Sequence, residues 1–133
     1  MDAAGTVRNY YDALRAGDPL FPFFHEDEST VKFGVGEKLV GYEAVAAGLR
    51  EQTETTTGWE VESRDLVVGE SDASAWFADD VFMGWTDTEA NVRYEFDTRW
   101  SGSMLRVDDG WRFTGMHVSC PVETTSNAGA AGR

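Results

Sequence analysis

The segment 93–121 constrains the fold more than any other part of the chain, because its residue pattern predicts two long strands joined by a tight turn. Asp108-Asp109-Gly110 has the composition of a turn in which the glycine takes a positive φ. A turn of this kind sets Val107 opposite Trp111. Because successive side chains of a strand alternate between faces, this register assigns every later residue of the hairpin to a face.

The predicted register separates a polar face from an apolar face. On the polar face it pairs Arg99 with Ser119, Ser101 with His117, Ser103 with Gly115 and Leu105 with Phe113. The other face carries Trp100, Met104, Met116 and Val118. Polar side chains gathered on a sheet that is otherwise rich in aromatic residues indicate the lining of a cavity.

Acidic residues dominate the charge of the chain. The 133 residues include 24 Asp and Glu against 11 Lys and Arg, which gives a formal net charge of -13. Such a surface repels phosphates and anionic lipids, so nucleic acids and membranes are not expected partners. Lysine occurs only at Lys32 and Lys38. This composition is typical of a halophilic protein, and the alternative is an ordinary acidic protein. On the halophilic interpretation we expect salt to stabilise the fold by screening the carboxylates.

The remaining composition bounds the structural class. Cys120 is the single cysteine, which excludes an intramolecular disulfide. The sequence shows no apolar run long enough to span a bilayer and no signal-peptide pattern at Met1, so we expect a cytoplasmic protein. The length suits a single domain over residues 1–122, and the small polar residues 123–133 predict a disordered tail.

The first half of the chain predicts short helices and short strands. Val7, Tyr10, Tyr11 and Leu14 have the spacing of one helix face and predict a helix over 3–16. The aromatic stretch 20–24 predicts a short helix or turn that packs on the core. The elements that follow are a strand over 29–35, a short partner strand over 38–40 and a helix over 44–54.

One loop has the composition of a metal site. His25-Glu26-Asp27-Glu28 are potential ligands, but four consecutive loop residues seldom converge on one ion, so we interpret them as solvated surface and expect no metal. The sequence contains neither a phosphate-binding glycine loop nor a dinucleotide-binding fingerprint, and we expect no cofactor.

The second half predicts four long strands, over 59–68, 73–85, 93–107 and 111–122. Apolar residues on both faces require a sheet that is covered on both sides. We expect an α+β fold in which a strongly curved antiparallel sheet, with four long strands and a short hairpin, wraps around two or three N-terminal helices. The face of Trp100, Met104 and Val118 is expected to pack against a second copy in a homodimer.

The order of elements and several motifs resemble the nuclear transport factor 2-like superfamily, and within it the SnoaL-like proteins. The motifs are Arg99-Trp100-Ser101, Asp109-Gly110-Trp111-Arg112 and His117-Val118-Ser119-Cys120-Pro121, and they are similar to a branch that also resembles the association domain of calcium/calmodulin-dependent protein kinase II. The resemblance covers residues 4–121 and implies a cone-shaped α+β barrel with a pocket. It does not select a function, because the superfamily includes isomerases, dehydratases, cyclases, binding modules and dimerisation domains.

The ketosteroid isomerases of this superfamily allow one comparison at the level of residues. Their oxyanion-donor tyrosine falls on Tyr10, but their aspartate base falls on Phe33, whose ring cannot take a proton. The resemblance therefore argues against ketosteroid isomerase activity unless Asp79 or Asp80 replaces the base, and only one of these neighbours can face the cavity.

Arg99 and His117 are the main candidates for the predicted pocket. Arg99 offers a bidentate cation for a carboxylate or enolate oxygen, or it pairs on the surface with Glu95 or Asp97. His117 is either a pocket acid or base, or a core histidine bonded to Ser101 or to a tyrosine. The expected ligand-binding residues are Arg99, His117, Tyr10, Ser101, Ser119, Phe33 and Phe77.

Two functional hypotheses follow. The first is a protein that binds a small, partly apolar ligand with an anionic or carbonyl oxygen directed at Arg99. The second is a cofactor-independent lyase or isomerase, similar to a polyketide cyclase or a dehydratase, with His117, Asp79, Asp80 and Tyr10 as catalytic candidates. Because the sequence shows no clear base, binding is the better-supported hypothesis. A dimerisation domain with a vestigial pocket is the remaining alternative.

Overall fold

The computed structural model describes residues 1–122 of the chain. The elements are α1 (Ala3–Ala16), a 3-10 turn (Phe21–Phe23), β1 (Val31–Gly34), β2 (Glu37–Val40), α2 (Tyr42–Thr55), β3 (Thr56–Ser63), β4 (Val67–Glu70), β5 (Ser74–Asp87), β6 (Val92–Val107) and β7 (Gly110–Ser119). Neither helix of this part of the chain is long and apolar enough to cross a membrane. The tail predicted over 123–133 lies outside the described residues.

Helix α1 has the bounds that its sequence predicts. The Asp2 side chain caps its first turn by accepting the Gly5 amide at 2.7 Å, and Gly17 ends it with a φ of 74°. The predicted apolar face, Val7, Tyr10, Tyr11 and Leu14, is buried. Helix α2 extends beyond its predicted bounds at both ends, and the strand predicted over 59–68 is divided into β3 and β4.

The strands form one seven-stranded sheet in the order β2-β1-β7-β6-β5-β3, with β4 paired to β5. Its pairings are antiparallel except for β1 with β7, which is parallel. The sheet is therefore mixed rather than antiparallel, because a connection as long as the one between β1 and β7 allows either direction. The predicted α+β architecture, with a curved sheet around the N-terminal helices, is confirmed.

The hairpin of β6 and β7 differs from its prediction near the turn. Val107 pairs with Gly110 and not with Trp111, so Asp108 and Asp109 form a two-residue turn. Asp108, and not the glycine, takes the positive φ of 56°. The register then shifts at Thr114, which lies in a β-bulge, and the pairs from Ser103–Gly115 to Arg99–Ser119 form as predicted.

The bulge at Thr114 changes which residues of β7 face inward. Trp111 and Phe113 are odd-numbered, whereas Met116 and Val118 are even-numbered, and all of them are buried. Strict alternation cannot place both pairs on one face, but one extra residue can. The prediction that Phe113 shares a face with Arg99 was wrong for this reason.

The inner face of β6 packs directly on α1. Trp100 and Met104 are 5% and 1% exposed, and the Trp100 ring lies 5.4 Å from that of Tyr11. Trp100, Met104 and Val118 therefore belong to the core, and the prediction that they form a dimer interface was wrong. Large apolar side chains gain more by burial against the helices, so they determine the inward face of the hairpin.

Close strand packing predicts different effects for substitutions at two neighbouring glycines. A Cβ at Gly102 would lie 2.4 Å from the Gly115 carbonyl oxygen and 2.7 Å from the Phe77 ring, whereas a Cβ at Gly115 meets nothing nearer than 3.4 Å. We expect Gly102→Ala to lower the free energy of unfolding by about 1–3 kcal/mol. Gly115→Ala, the matched control, should have a much smaller effect. Urea denaturation measures both, and equal losses would contradict the packing described.

Candidate functional site

A cavity of about 190 Å³ lies between the helices, the β1–β2 hairpin and the inner face of the sheet. Its walls are mainly apolar, with a few polar groups from α1, α2 and the hairpin. The lining residues are Tyr10, Leu14, Lys32, Gly34, Val35, Glu37, Gln52, Thr56, Trp59, Met83, Trp85, Trp100 and Val118. Because an apolar cavity of about 150 Å³ holds benzene, the volume suits a ligand of about one substituted ring.

Lys32 and Glu37 form an ion pair in this cavity, with Nζ 2.6 Å from Oε1. The two side chains are 8% and 31% exposed. Gly34 lies between them on the hairpin, and a Cβ there would come within 2.8 Å of Glu37 Oε1. The missing side chain at Gly34 therefore lets Glu37 fold back across the strand towards Lys32.

Tyr10 supplies a protonated hydroxyl to the same cavity. Its ring meets those of Phe23, Phe24 and Phe113 edge-on at 5.3 to 5.9 Å. Burial, with a contribution from the Glu37 carboxylate, raises the pKa of Tyr10 far above its ordinary value, so the hydroxyl is a donor throughout the physiological range. Within residues 1–122, no group forms a hydrogen bond with this hydroxyl.

Comparison with known proteins supports the architecture. A family model described as the SnoaL-like domain matches residues 4–123. The chain belongs to the SnoaL-like domain family. No curated protein matches the chain in sequence.

Solved structures with this fold share little sequence with the SnoaL-like domain described above. A nuclear transport factor 2-like superfamily protein from Salmonella enterica is 16% identical, with a TM-score of 0.77 over 92% of this chain and 91% of that one. A protein from Novosphingobium aromaticivorans, provisionally named as a scytalone dehydratase, is 16% identical, with a TM-score of 0.76 over 89% and 80%. A Xanthomonas campestris protein, provisionally named as a calcium/calmodulin-dependent protein kinase II association domain, is 17% identical, with a TM-score of 0.74 over 91% and 86%. These similarities show the fold.

Most residues predicted for the site of this SnoaL-like domain lie outside the cavity. Arg99, Ser101, His117 and Ser119 are on the outer face of the sheet, because they alternate with the inward-facing Trp100 and Val118. They do not line this cavity; they border a separate, more open depression of about 340 Å³ on the outer face. A role for them in ligand binding stays a prediction.

The two predicted phenylalanines do not line the cavity either. Phe33 is also on the outer face, where its ring meets His117 at 6.1 Å. Phe77 packs in the core, 5.6 Å from Phe113, and does not border the cavity. Among the predicted site residues, Tyr10 is the one that lines the cavity of the SnoaL-like domain.

Arg99 does not form the predicted surface ion pairs. Asp97 pairs with Arg64 at 2.9 Å, and Glu95 lies 3.6 Å from Arg93. The Arg99 guanidinium instead approaches the Cys120 carbonyl oxygen at 3.5 Å. Its charge is therefore directed to the outer surface near the end of β7.

Asp79 and Asp80 take opposite faces, as adjacent strand residues must. Asp80 is exposed on the outer face, whereas Asp79 is 5% exposed. The Asp79 carboxylate accepts hydrogen bonds from the Tyr11 hydroxyl at 2.9 Å, the Ser63 hydroxyl at 2.5 Å and the Asp65 amide at 2.9 Å. These three hydrogen bonds tie α1 and β3 to β5 and occupy acceptor positions of the Asp79 carboxylate.

Hydrogen bonds within the acidic loop hold the Asp27 carboxylate. Asp27 accepts the Ser29 amide and hydroxyl, and these hydrogen bonds lower the pKa of its carboxyl. Over the described residues 1–122, no group of three or more His, Cys, Asp or Glu side chains is placed to hold a metal ion.

Lys32 and Glu37 line the cavity but are not among the residues predicted for the site. Val31 and Phe33 of β1 are on the outer face, so Lys32 between them points inward, whereas Val35 lies in the turn after the strand and borders the cavity. The signal was available, because Lys32 is one of only two lysines and interrupts an apolar strand.

Proposed function

We propose that this SnoaL-like domain binds a small, partly apolar molecule that carries an anionic or carbonyl oxygen, with the oxygen directed at Lys32. The observation that carries the proposal is an ammonium group, 8% exposed, on the wall of a mainly apolar cavity. Lys32 takes the role that the sequence analysis expected of Arg99.

The hydrogen bonding of Lys32 supports this role. An ammonium group has three donors, and within residues 1–122 Glu37 accepts one of them. Burial of a cation is costly unless its donors find acceptors. A ligand oxygen in the cavity supplies an acceptor that residues 1–122 do not, and Tyr10 offers a second donor from α1.

Replacement of Lys32 by methionine tests the proposal directly. We expect Lys32→Met to weaken binding of acetophenone and benzoate about tenfold to a hundredfold, since a hydrogen bond to a charged group contributes about 1.5–3 kcal/mol. Lys38→Met, which removes the other, exposed lysine, is the matched control. Ligand-observed NMR titration measures the affinities, and thermal melting shows whether each variant is folded. Unchanged affinity in Lys32→Met would reject the assignment of the oxygen site.

Glu37 supports a second candidate, a cofactor-independent acid/base enzyme. Its carboxylate is 31% exposed, adjoins the cavity and lies near the protonated Tyr10 hydroxyl. A carboxylate that accepts a proton from carbon, with a tyrosine that donates to the resulting enolate oxygen, is the minimum set for isomerase or dehydratase chemistry. The structural likeness to a protein provisionally named as a scytalone dehydratase agrees with this candidate.

Hydrogen exchange separates binding from catalysis. If Glu37 is a base, the wild-type protein should accelerate deuterium exchange at the methyl group of acetophenone in D₂O, and Glu37→Gln should return the rate to that of buffer while acetophenone still binds. NMR detects both. Exchange at the buffer rate in the wild type, with binding intact, would leave the binding protein as the function and exclude this enzyme candidate.

Self-association through the outer face of the sheet completes the proposal. Trp76, Val67 and Leu105 are 53%, 47% and 38% exposed on this face, around the smaller Ala78 and Ser101. Exposed apolar residues around a floor of small side chains allow a second sheet to approach, as in an isologous dimer. The likeness to a protein provisionally named as an association domain supports a homodimer.

A charge at the centre of the outer face should prevent this dimer. Ser101→Glu buries a carboxylate in the expected interface, so sedimentation velocity should show the monomer mass where the wild type shows twice that mass. Ala47→Glu adds the same charge to an exposed position of α2 and should remain dimeric. A wild type that sediments as a monomer, or a Ser101→Glu variant that still dimerises, would rule out the outer face as the interface.

A further inference from the structure

Four aromatic rings form a ladder that leads out of the cavity along the inner face of β3, β5 and β6. Trp59 and Trp85 are stacked with ring centroids 4.9 Å apart and planes 17° apart. Trp85 continues the stack to Tyr94 at 5.4 Å and 28°, and Tyr94 lies nearly parallel to Phe96 at 6.3 Å and 9°. Near-parallel rings at these distances create a surface that favours flat, polarizable groups.

The two ladder rings nearest the helices, Trp59 and Trp85, line the cavity, whereas Tyr94 and Phe96 do not. Trp85 contacts three rings, those of Trp59, Tyr94 and Phe96. Trp59 meets a single aromatic partner within residues 1–122 and therefore ends the stack. Trp59 is partly exposed and borders the cavity, so a ligand ring in the cavity would extend the ladder at this end.

A bulge in β3 holds Trp59 in this position. The register of β3 with β5 shifts between Thr57 and Glu60, and Gly58 takes a φ of 65° that other residues rarely adopt. Arg93 donates to the Gly58 carbonyl oxygen at 2.7 Å and also pairs with Glu60. The bulge lies directly before Trp59, which keeps the inward phase of the buried Val61 and stacks on Trp85.

The Trp59 indole is fixed at its far edge as well. Its Nε1 donates to the Thr56 hydroxyl at 2.8 Å, and that hydroxyl donates to the Gln52 carbonyl oxygen at the end of α2. The protein holds the indole at its Nε1 edge and through the stack with Trp85. A ligand that stacks on the indole therefore does not have to order it first. Such preorganisation strengthens binding by lowering its entropy cost.

We propose that Trp59 and Trp85 form a ring-stacking subsite in the cavity, and that the ligand is a planar aromatic or conjugated molecule whose oxygen substituent reaches Lys32. This inference rests on the proposed function and adds the ligand class. A wall of aliphatic side chains would accept any hydrocarbon of the right size, whereas a preordered indole at the cavity wall favours flat rings over puckered ones.

The test compares two carboxylates of nearly equal size and equal charge. Benzoate is flat and aromatic, and cyclohexanecarboxylate is puckered and saturated. In high-salt buffer, calorimetric titration of the wild type should show benzoate binding about two- to twelvefold more tightly, the range expected for one favourable aromatic pair. Both probes present the same carboxylate to Lys32, so this ratio isolates the ring.

Trp59 variants locate the preference. Trp59→Leu should reduce the benzoate preference to near unity, whereas Trp59→Phe, the matched control that keeps a ring, should retain it. Gly58→Ala leaves the indole in the chain but strains the bulge, so it should weaken the preference without abolishing binding. Circular dichroism and thermal melting establish that each variant is folded, and Trp59→Phe keeps the test decisive if Trp59→Leu does not fold.

The outcomes distinguish this inference from the function on which it rests. Equal affinities of the wild type for both carboxylates, or a preference that survives in folded Trp59→Leu, overturn the ring subsite and leave the binding function standing. Loss of the preference in Trp59→Phe also overturns it, because a ring is then not the determinant. If neither carboxylate binds the wild type at millimolar concentration, the comparison is repeated with the neutral pair acetophenone and cyclohexyl methyl ketone, and failure of that pair as well rejects both the ring subsite and the proposed oxygen site.

Discussion

The bulge at Thr114 is the constraint on which the arrangement of this fold depends. The two-residue turn at Asp108-Asp109 sets a register between β6 and β7 that changes by one residue at the bulge. The bulge thereby brings the odd-numbered and even-numbered apolar residues of β7 onto one inner face. Without the bulge, strict alternation would put Trp111 and Phe113 on one face and Met116 and Val118 on the other, so that one apolar pair would be exposed. Once the inner face is continuous, α1 has a single surface to pack on, and Arg99 and His117 are necessarily outside.

The polar groups of the cavity depend on which residues of the neighbouring strand β1 face inward and which face outward. Strand β1 pairs with β7, so its apolar residues Val31 and Phe33 continue the outer surface and Lys32 points inward. A single inward cation requires a partner, and the absence of a side chain at Gly34 lets Glu37 supply it. The chemistry of the cavity thus depends on a lysine, a glycine and a glutamate within six residues of one hairpin.

Sequence reasoning predicted the elements well because they depend on local patterns. The Tyr10 face of α1 and the far half of the β6–β7 hairpin were both correct. The inward face of that hairpin was not, because it depends on which apolar surface the helices cover, and that is a tertiary property. The phase change between Phe113 and Met116 was the available signal for the bulge. Glu37 was harder to find, since it reaches the cavity only by folding back across Gly34.

The pairing of Lys32 with Glu37 favours a neutral ligand oxygen over a second carboxylate. A carboxylate must share the ammonium group with Glu37 at close range, and it must also approach a protein of net charge -13. A carbonyl oxygen accepts one of the remaining Nζ donors and adds no charge, so the Lys32–Glu37 pair can stay intact. A carbonyl group bound in this way lies beside both the Glu37 carboxylate and the Lys32 ammonium group, which polarises its oxygen. The two proposed functions, binding of a carbonyl compound and acid/base catalysis, would therefore depend on the same side chains.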